Sequence, residues 1–339
     1  MEFITITSTL FEAIPGNEER SSKIEEFLKR CLEKYLALGC DPLIGISYYN
    51  LGNHYRSRKL FQKSIRHYLK ARRYQKAYVN QAYYFQELGG SLFSYEKYHF
   101  AAMMYKMALD RGASSSVKPL FADALMFSGK YQQALDIFSE YLNSETVEHD
   151  EWHLKRICLD QIIKSTGIKE QTRHKEEALA AIDITKAGED GFVKLLESTI
   201  EMDMLCGLAW FNLGVAYSKA ANHENATLSF TMCGLVQTGD IGAWVNAALS
   251  SVNLVMAKFH SLDKEISINL AFLILRAGYF FNKDLFLSKL YEKIQNVCGS
   301  EGLAMYSNMI EQALPDMQSE ERVIRLVGED GMVKDLFKG

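Results

Sequence analysis

Residues 207–233 read GLAWFNLGVAYSKAANHENATLSFTMC, and their spacing decides the fold. Trp210, Leu213 and Tyr217 stand at i, i+3 and i+7, one face of a 3.6-residue period, with Gly214 beside them. Ala226, Phe230 and Cys233 continue on a second helix at i, i+4 and i+7. Gly214 offers no side chain, so the second helix approaches closely, and the small Ala226 completes the crossing. Bulk at the glycine would be an overpacking error costing roughly 1–3 kcal/mol. Such a hairpin cannot bury its apolar face alone and must stack on neighbours.

The same spacing recurs upstream. Tyr48-x2-Leu51-Gly52-x2-Tyr55 is followed by Phe61, Ser64, Tyr68 and Ala71. Phe85-x2-Leu88-Gly89-x2-Leu92 precedes Tyr98, Ala101, Tyr105 and Ala108. A third unit keeps Phe121, Ala122 and Leu125, then Gly129, Tyr131, Ala134, Phe138 and Tyr141. Ser64 and Ala101 are the small partners of the glycines, and Tyr68, Tyr105, Phe138 and Phe230 are expected to fill the volume toward the next repeat. In combination these units resemble tetratricopeptide repeats. The resemblance implies an all-α fold, a right-handed superhelical solenoid of antiparallel helix pairs with a ligand groove along its helix A positions.

The expected organisation has three parts. Residues 1–143 hold an N-terminal amphipathic helix at 20–39 and three repeat-like units. Residues 144–206 form a divergent helical connector, entered through the polar stretch Asn143–Asp150, with helices near 150–165 and 174–186. Residues 207–339 hold a C-terminal unit, an imperfect unit starting at Trp244, and helices near 264–281, 283–297, 301–314 and 319–327. One segment echoes another: GEDGFVKLL at 188–196 returns as GEDGMVKDL at 328–336. Either a glycine-closed helix and an acid-rich helix start are used twice, or the segment is duplicated and Gly339 leaves an edge open to a partner.

Composition narrows the function. The 339 residues are 48% hydrophobic and 24% charged, ordinary for a folded soluble protein. Only four prolines occur, so long helical stretches go unbroken. Net charge of −4 gives no general pull toward nucleic acid or anionic lipid. The six cysteines include no CxxC pair, which fits free thiols in a reducing compartment. The N-terminus lacks the basic and apolar regions of a signal peptide. The most apolar stretch, Ile266–Phe281, is interrupted by Asn269 and Arg276 and too short for a bilayer. The expectation is a cytoplasmic protein.

No phosphate loop, nucleophile elbow or kinase signature occurs, and no cofactor is expected. His149 and His153 stand at i, i+4 as in a zinc-binding helix, but Asp150 occupies the place of the catalytic glutamate and no third ligand follows. Two solvated histidines are the expectation, with no metal. Cys233 occupies a packing position and is expected to be inert.

Binding is the remaining possibility. By register with the family, the groove positions include Ile46, Tyr49, Asn53 and Arg56, then Tyr83, Gln86, Gly90 and Phe93, then Ser116, Pro119 and Asp123. In the 207–233 unit they are Leu208, Phe211, Val215 and Ser218. Family members that hold chaperone tails use a carboxylate clamp of lysine and asparagine. Asn53 matches one clamp position, but Tyr49 replaces a lysine and Glu87 an asparagine, so that ligand is rejected. An aromatic and apolar groove implies a hydrophobic peptide or helix of a partner protein.

From Arg56 to Lys76 nine basic residues, Arg66 and Arg73 among them, occur with no acid between them, and tyrosines interleave. The stretch is either a solvated outer face or a site for an acidic protein or a nucleic acid. The expected function is a non-enzymatic scaffold or adaptor for another protein. Its alternatives are a ligand-responsive sensor flexing at the connector and a nucleic-acid-binding repeat using residues 56–76.

Overall fold

The computed structural model describes residues 17–144, 149–186, 188, 191–297, 300–314, 325–327 and 333–335. They fall into two compact units, residues 1–128 and 129–339. The first contains α1 (Asn17–Ala37), α2 (Asp41–Ser57), α3 (Phe61–Tyr74), α4 (Ala82–Ser94), α5 (Tyr98–Leu109) and α6 (Val117–Phe127). Each helix packs on the next in chain order, most extensively within the pairs α2/α3 and α4/α5. Pro42 occupies the first turn of α2, where its missing N–H goes unused.

The crossings follow the glycines with one refinement. A Cβ added to Gly52 would lie 2.7 Å from the Tyr68 ring, and one at Gly89 would lie 2.9 Å from Tyr105. The large rings therefore lie on the glycines of their own hairpin instead of only filling space toward the next repeat. Ser64, the small partner, is buried and donates to the Gly52 carbonyl at 2.9 Å.

The hairpin turns share a second device. Lys59 and Glu96 adopt left-handed φ of 58° and 56°. Leu60 N–H donates to the Tyr55 carbonyl and Lys97 N–H to the Leu92 carbonyl, both at 2.9 Å. These are six-to-one helix closures that ordinarily use glycine at the left-handed position.

The second unit contains α7 (Tyr131–Ser144), α8 (Asp150–Thr166), α9 (Lys175–Ala181), α10 (Phe192–Met202), α11 (Gly207–Lys219) and α12 (His223–Val236). It continues with α13 (Ile241–Ala257), α14 (Lys264–Phe281), α15 (Lys283–Val297), α16 (Ser300–Ala313), β1 (Arg325–Val327) and β2 (Val333–Asp335). The α11/α12 hairpin repeats both devices: a Gly214 Cβ would lie 2.7 Å from the Phe230 ring, and Ala221 closes the turn at φ 55°. A further nest was not read from the sequence. Gly278 of α14 lies under the Phe286 ring of α15, again 2.7 Å from an added Cβ. Trp210 and Trp244 each donate Nε1–H to the carbonyl six residues upstream, Met204 at 2.6 Å and Thr238 at 3.2 Å. Trp152 is buried as well, so all three tryptophans sit in the core of this unit.

The divergent stretch is fastened by polar contacts. Lys169 and Gln171 bond through their backbone to Gln132 and Gly129 at 2.9 Å. The Gln171 amide accepts from Tyr131 Oη at 2.9 Å and Met204 N–H at 2.8 Å, and donates to the Glu201 carbonyl at 2.7 Å. Arg173 grips Asp203 through two bonds of 2.6 and 3.2 Å. Helix α8 packs on α12 and α14.

The sequence expectations need two corrections. The helix expected near 174–186 ends at Ala181, with a separate 3-10 turn at Ile184–Lys186. The helix expected near 319–327 is not helical at its described end: Arg325–Val327 pairs antiparallel with Val333–Asp335, Leu326 facing Lys334. The echo therefore carries two structures, helix at Phe192–Met202 and strand at Val333–Asp335. Nine residues of similar sequence do not fix secondary structure when their packing surroundings differ. Apart from this ribbon, the described elements are helical.

Candidate functional site

In the first unit the groove positions of α2 and α4 meet. The Tyr49 ring stacks on Tyr78 with centroids 5.2 Å apart and meets the edge of Tyr83 at 5.7 Å. Tyr68 lies tilted against it at 5.6 Å and donates its hydroxyl to Asn53 Oδ1 at 2.6 Å. One turn on, Arg56 pairs with Glu87 at 2.5 Å, joining α2 to α4. Tyr83 leaves 47% of its surface open, the exposed face of an otherwise packed tyrosine cluster. Pro119 and Asp123 are buried on α6, and Ser116 is exposed.

The electrostatics are those of a partly dry floor. Burial, reinforced by the charge of Glu87, pushes the Tyr49 phenol up to about 12. Burial also raises Glu87 above the ordinary carboxylate value, with Arg56 pulling the other way. Tyr105 is raised by burial, with Asp123 and Glu87 adding to it. The floor thus holds two carboxylates near one arginine. Glu87, which stands where a carboxylate clamp needs a neutral amide, is ion-paired with Arg56.

The candidate residues do not form one patch. Tyr49, Asn53, Arg56 and Tyr83 come together. Gln86 is partly open one turn along α4. Phe93 packs edge-on against Tyr98 and Phe127 at 5.2 and 5.5 Å and serves the α4/α5/α6 junction. Arg66 and Arg73 lie elsewhere. With Lys63 and Lys70 they form an exposed stripe on α3, while Ser64, Tyr68 and Ala71 make its buried face. Phe211 and Val215 belong to α11 in the second unit. Both are half-buried, and Phe211 meets the Phe230 ring edge-on at 5.5 Å.

The basic stretch is partly neutralised. Arg56 pairs with Glu87 and Arg58 with Glu25 at 3.1 Å. Lys63 and Lys70 lie over the Tyr55 and Tyr48 rings at 5.5 and 5.2 Å. Tyr68, Tyr78 and Tyr84 are buried, so the interleaved tyrosines serve mainly as core and offer few faces to stacked bases. The sequence marks Glu87 only as a departure from the carboxylate clamp and Tyr78 only as one of the tyrosines of the basic stretch; it does not anticipate their places beside Arg56 and Tyr49. The signal for Glu87 was an acid on the helix A following the one that bears Arg56.

The two histidines, expected to be solvated, are instead half-buried by packing. Asp150 accepts two bonds from Arg276, at 2.7 and 3.1 Å, and His149 packs on Phe280 at 5.0 Å. Burial lowers His153. Among the described residues no three metal-ligating side chains converge, and no helix is long and apolar enough to cross a membrane. Cys158 and Cys233 are buried thiols, each pushed up to about 12 by burial first. Cys31, Cys40, Cys158, Cys206 and Cys233 are all free.

No family model matches the chain, and no curated protein does. Among solved structures, the TPR2AB-domain:pHSP90 complex of yeast Sti1 is similar at 15% identity and a TM-score of 0.30. It covers 78% of this chain and 98% of that one. YrrB, described as a TPR protein with an unusual peptide-binding site, is similar at 14% identity and a TM-score of 0.28. There the coverage is 77% of this chain and 97% of that one. The deciding observation lies within the hairpins: a glycine under a ring sixteen residues on, and a left-handed turn residue seven after the glycine, in all three. In fold these hairpins resemble tetratricopeptide repeats. Tyr48 is buried, while Tyr49 beside it is partly open.

Proposed function

We propose that this chain is a non-catalytic interaction scaffold that holds a segment of a partner protein on its α2/α4 groove. The observation behind this reading is Tyr83, nearly half exposed yet braced by Tyr49 and Tyr78. A rigid aromatic with a free face loses little side-chain entropy on binding, which is why such residues anchor interfaces. Asn53 and Gln86 offer polar contacts beside it, Arg56 and Glu87 form a charged pair in the floor, and Phe93 braces the far end of α4. Phe211 and Val215 are the equivalent anchors on α11. The Arg66/Arg73 stripe would steer acidic partners by long-range attraction without entering the groove.

The test begins with peptides selected on the protein from a displayed library. Tyr83→Ala is expected to weaken the selected peptides at least tenfold, about 1.4 kcal/mol, with the helical circular dichroism unchanged. Equal affinity for the variant and the parent would remove the groove from the account. Arg66→Glu with Arg73→Glu is expected to slow association and flatten its salt dependence, leaving dissociation unaltered.

A further inference from the structure

The second unit has a cleft that the groove reading does not use. It has a volume of about 540 Å³ and lies between α13 and α15. That is within the roughly 300–1,000 Å³ of small-ligand sites. Ile241, Val245 and Leu285 supply an apolar wall, with Leu285 more than half exposed. Gly242 leaves the floor bare beside Phe211. Lys289, Glu292, Lys293 and Asn296 line the α15 side.

The charges there do not cancel. Lys289 and Glu292 pair with each other at 2.9 Å. Lys293 is half-buried and gives its ammonium to Asn246 Oδ1 at 2.5 Å, and no carboxylate pairs with it among the described residues. A neutral amide satisfies one N–H without balancing the charge. Burial accordingly pulls the Lys293 pKa below the ordinary lysine value. An anion placed against that amine would restore what desolvation removes.

We propose that this cleft binds a small apolar carboxylate, its chain along Ile241, Val245 and Leu285 and its head group on Lys293. One cationic end and one apolar wall match a ligand with one anionic end and one apolar body. The site stands or falls independently of the α2/α4 groove, because none of its residues belongs to the first unit.

Calorimetric titration with octanoate, 1-octanol and octylamine tests the assignment. Octanoate is expected to bind saturably at one site and at least tenfold more tightly than either other probe. Lys293→Met is expected to remove that preference, and Leu285→Trp to block all binding by filling the cleft from its exposed rim, both with parental melting curves. Should Lys293→Met fail to fold, Leu285→Trp decides. Octylamine binding as well as octanoate, octanoate failing to saturate, or Leu285→Trp binding octanoate like the parent would each overturn the proposal. An acetylated apolar peptide amide with one internal glutamate outcompeting octanoate would reassign the cleft to protein segments.

Discussion

Between Asp41 and Leu109 the helices are joined by bare glycines lying under tyrosine rings, with Ser64 and Ala101 completing the crossings. Between Gly129 and Met204 the joints are hydrogen bonds: Gln171 reaches four partners through its side chain, and Arg173 holds Asp203 bidentately. The first kind of joint depends on shape and tolerates any ring of the right size, Tyr68, Tyr105 or Phe230. The second depends on particular donors and acceptors. Apolar nesting recurs because it needs only spacing, whereas a polar strap is specific to one place in the chain.

Breaking the strap is expected to have the largest effect. Asp203 is almost wholly buried, so Asp203→Ala removes two bonds from Arg173 and one from the Leu205 N–H and is expected to cost about 3–5 kcal/mol in denaturant unfolding. A loss below 1 kcal/mol would mean that the strap is dispensable and the contrast false. Filling a nest comes next. Gly214→Val drives a branched side chain into the Phe230 ring, and a cost of about 2–3 kcal/mol is expected from the shift in unfolding midpoint. An unchanged midpoint would show that the rings move aside freely.

The smallest effect runs the other way. Ala221 holds a left-handed φ of 55° that an alanine adopts at a cost. Ala221→Gly is expected to stabilise the α11/α12 hairpin by about 0.5 kcal/mol, after the extra chain entropy of glycine is subtracted. A lower melting temperature would show that the turn carries no strain worth releasing.

The same contrast explains what the sequence made legible. The α2/α3, α4/α5 and α11/α12 hairpins follow from period and small residues, because Gly52, Gly89 and Gly214 stand a fixed sixteen residues before their rings. The Gly278/Phe286 nest keeps the chemistry at a separation of eight, and template matching passes over it. The Gln171 strap has no period at all. At the candidate site, Tyr49, Asn53 and Tyr83 fell together because register alone places them. Arg66 and Arg73 did not, since both lie on the exposed face of α3, opposite the buried face of Ser64, Tyr68 and Ala71. Glu87 took its meaning only beside Arg56, and no single-helix pattern announces a partner on the next hairpin.

One feature of the cores has a practical use. Every indole in the chain lies beyond Ser128, while two-thirds of the phenols, twelve of eighteen, precede it. Red-edge excitation therefore illuminates only the later half, and phenol absorbance is weighted toward the earlier one. A single melt or mixing experiment can thus time the loss of each half separately, using chromophores already present, without labels or truncation.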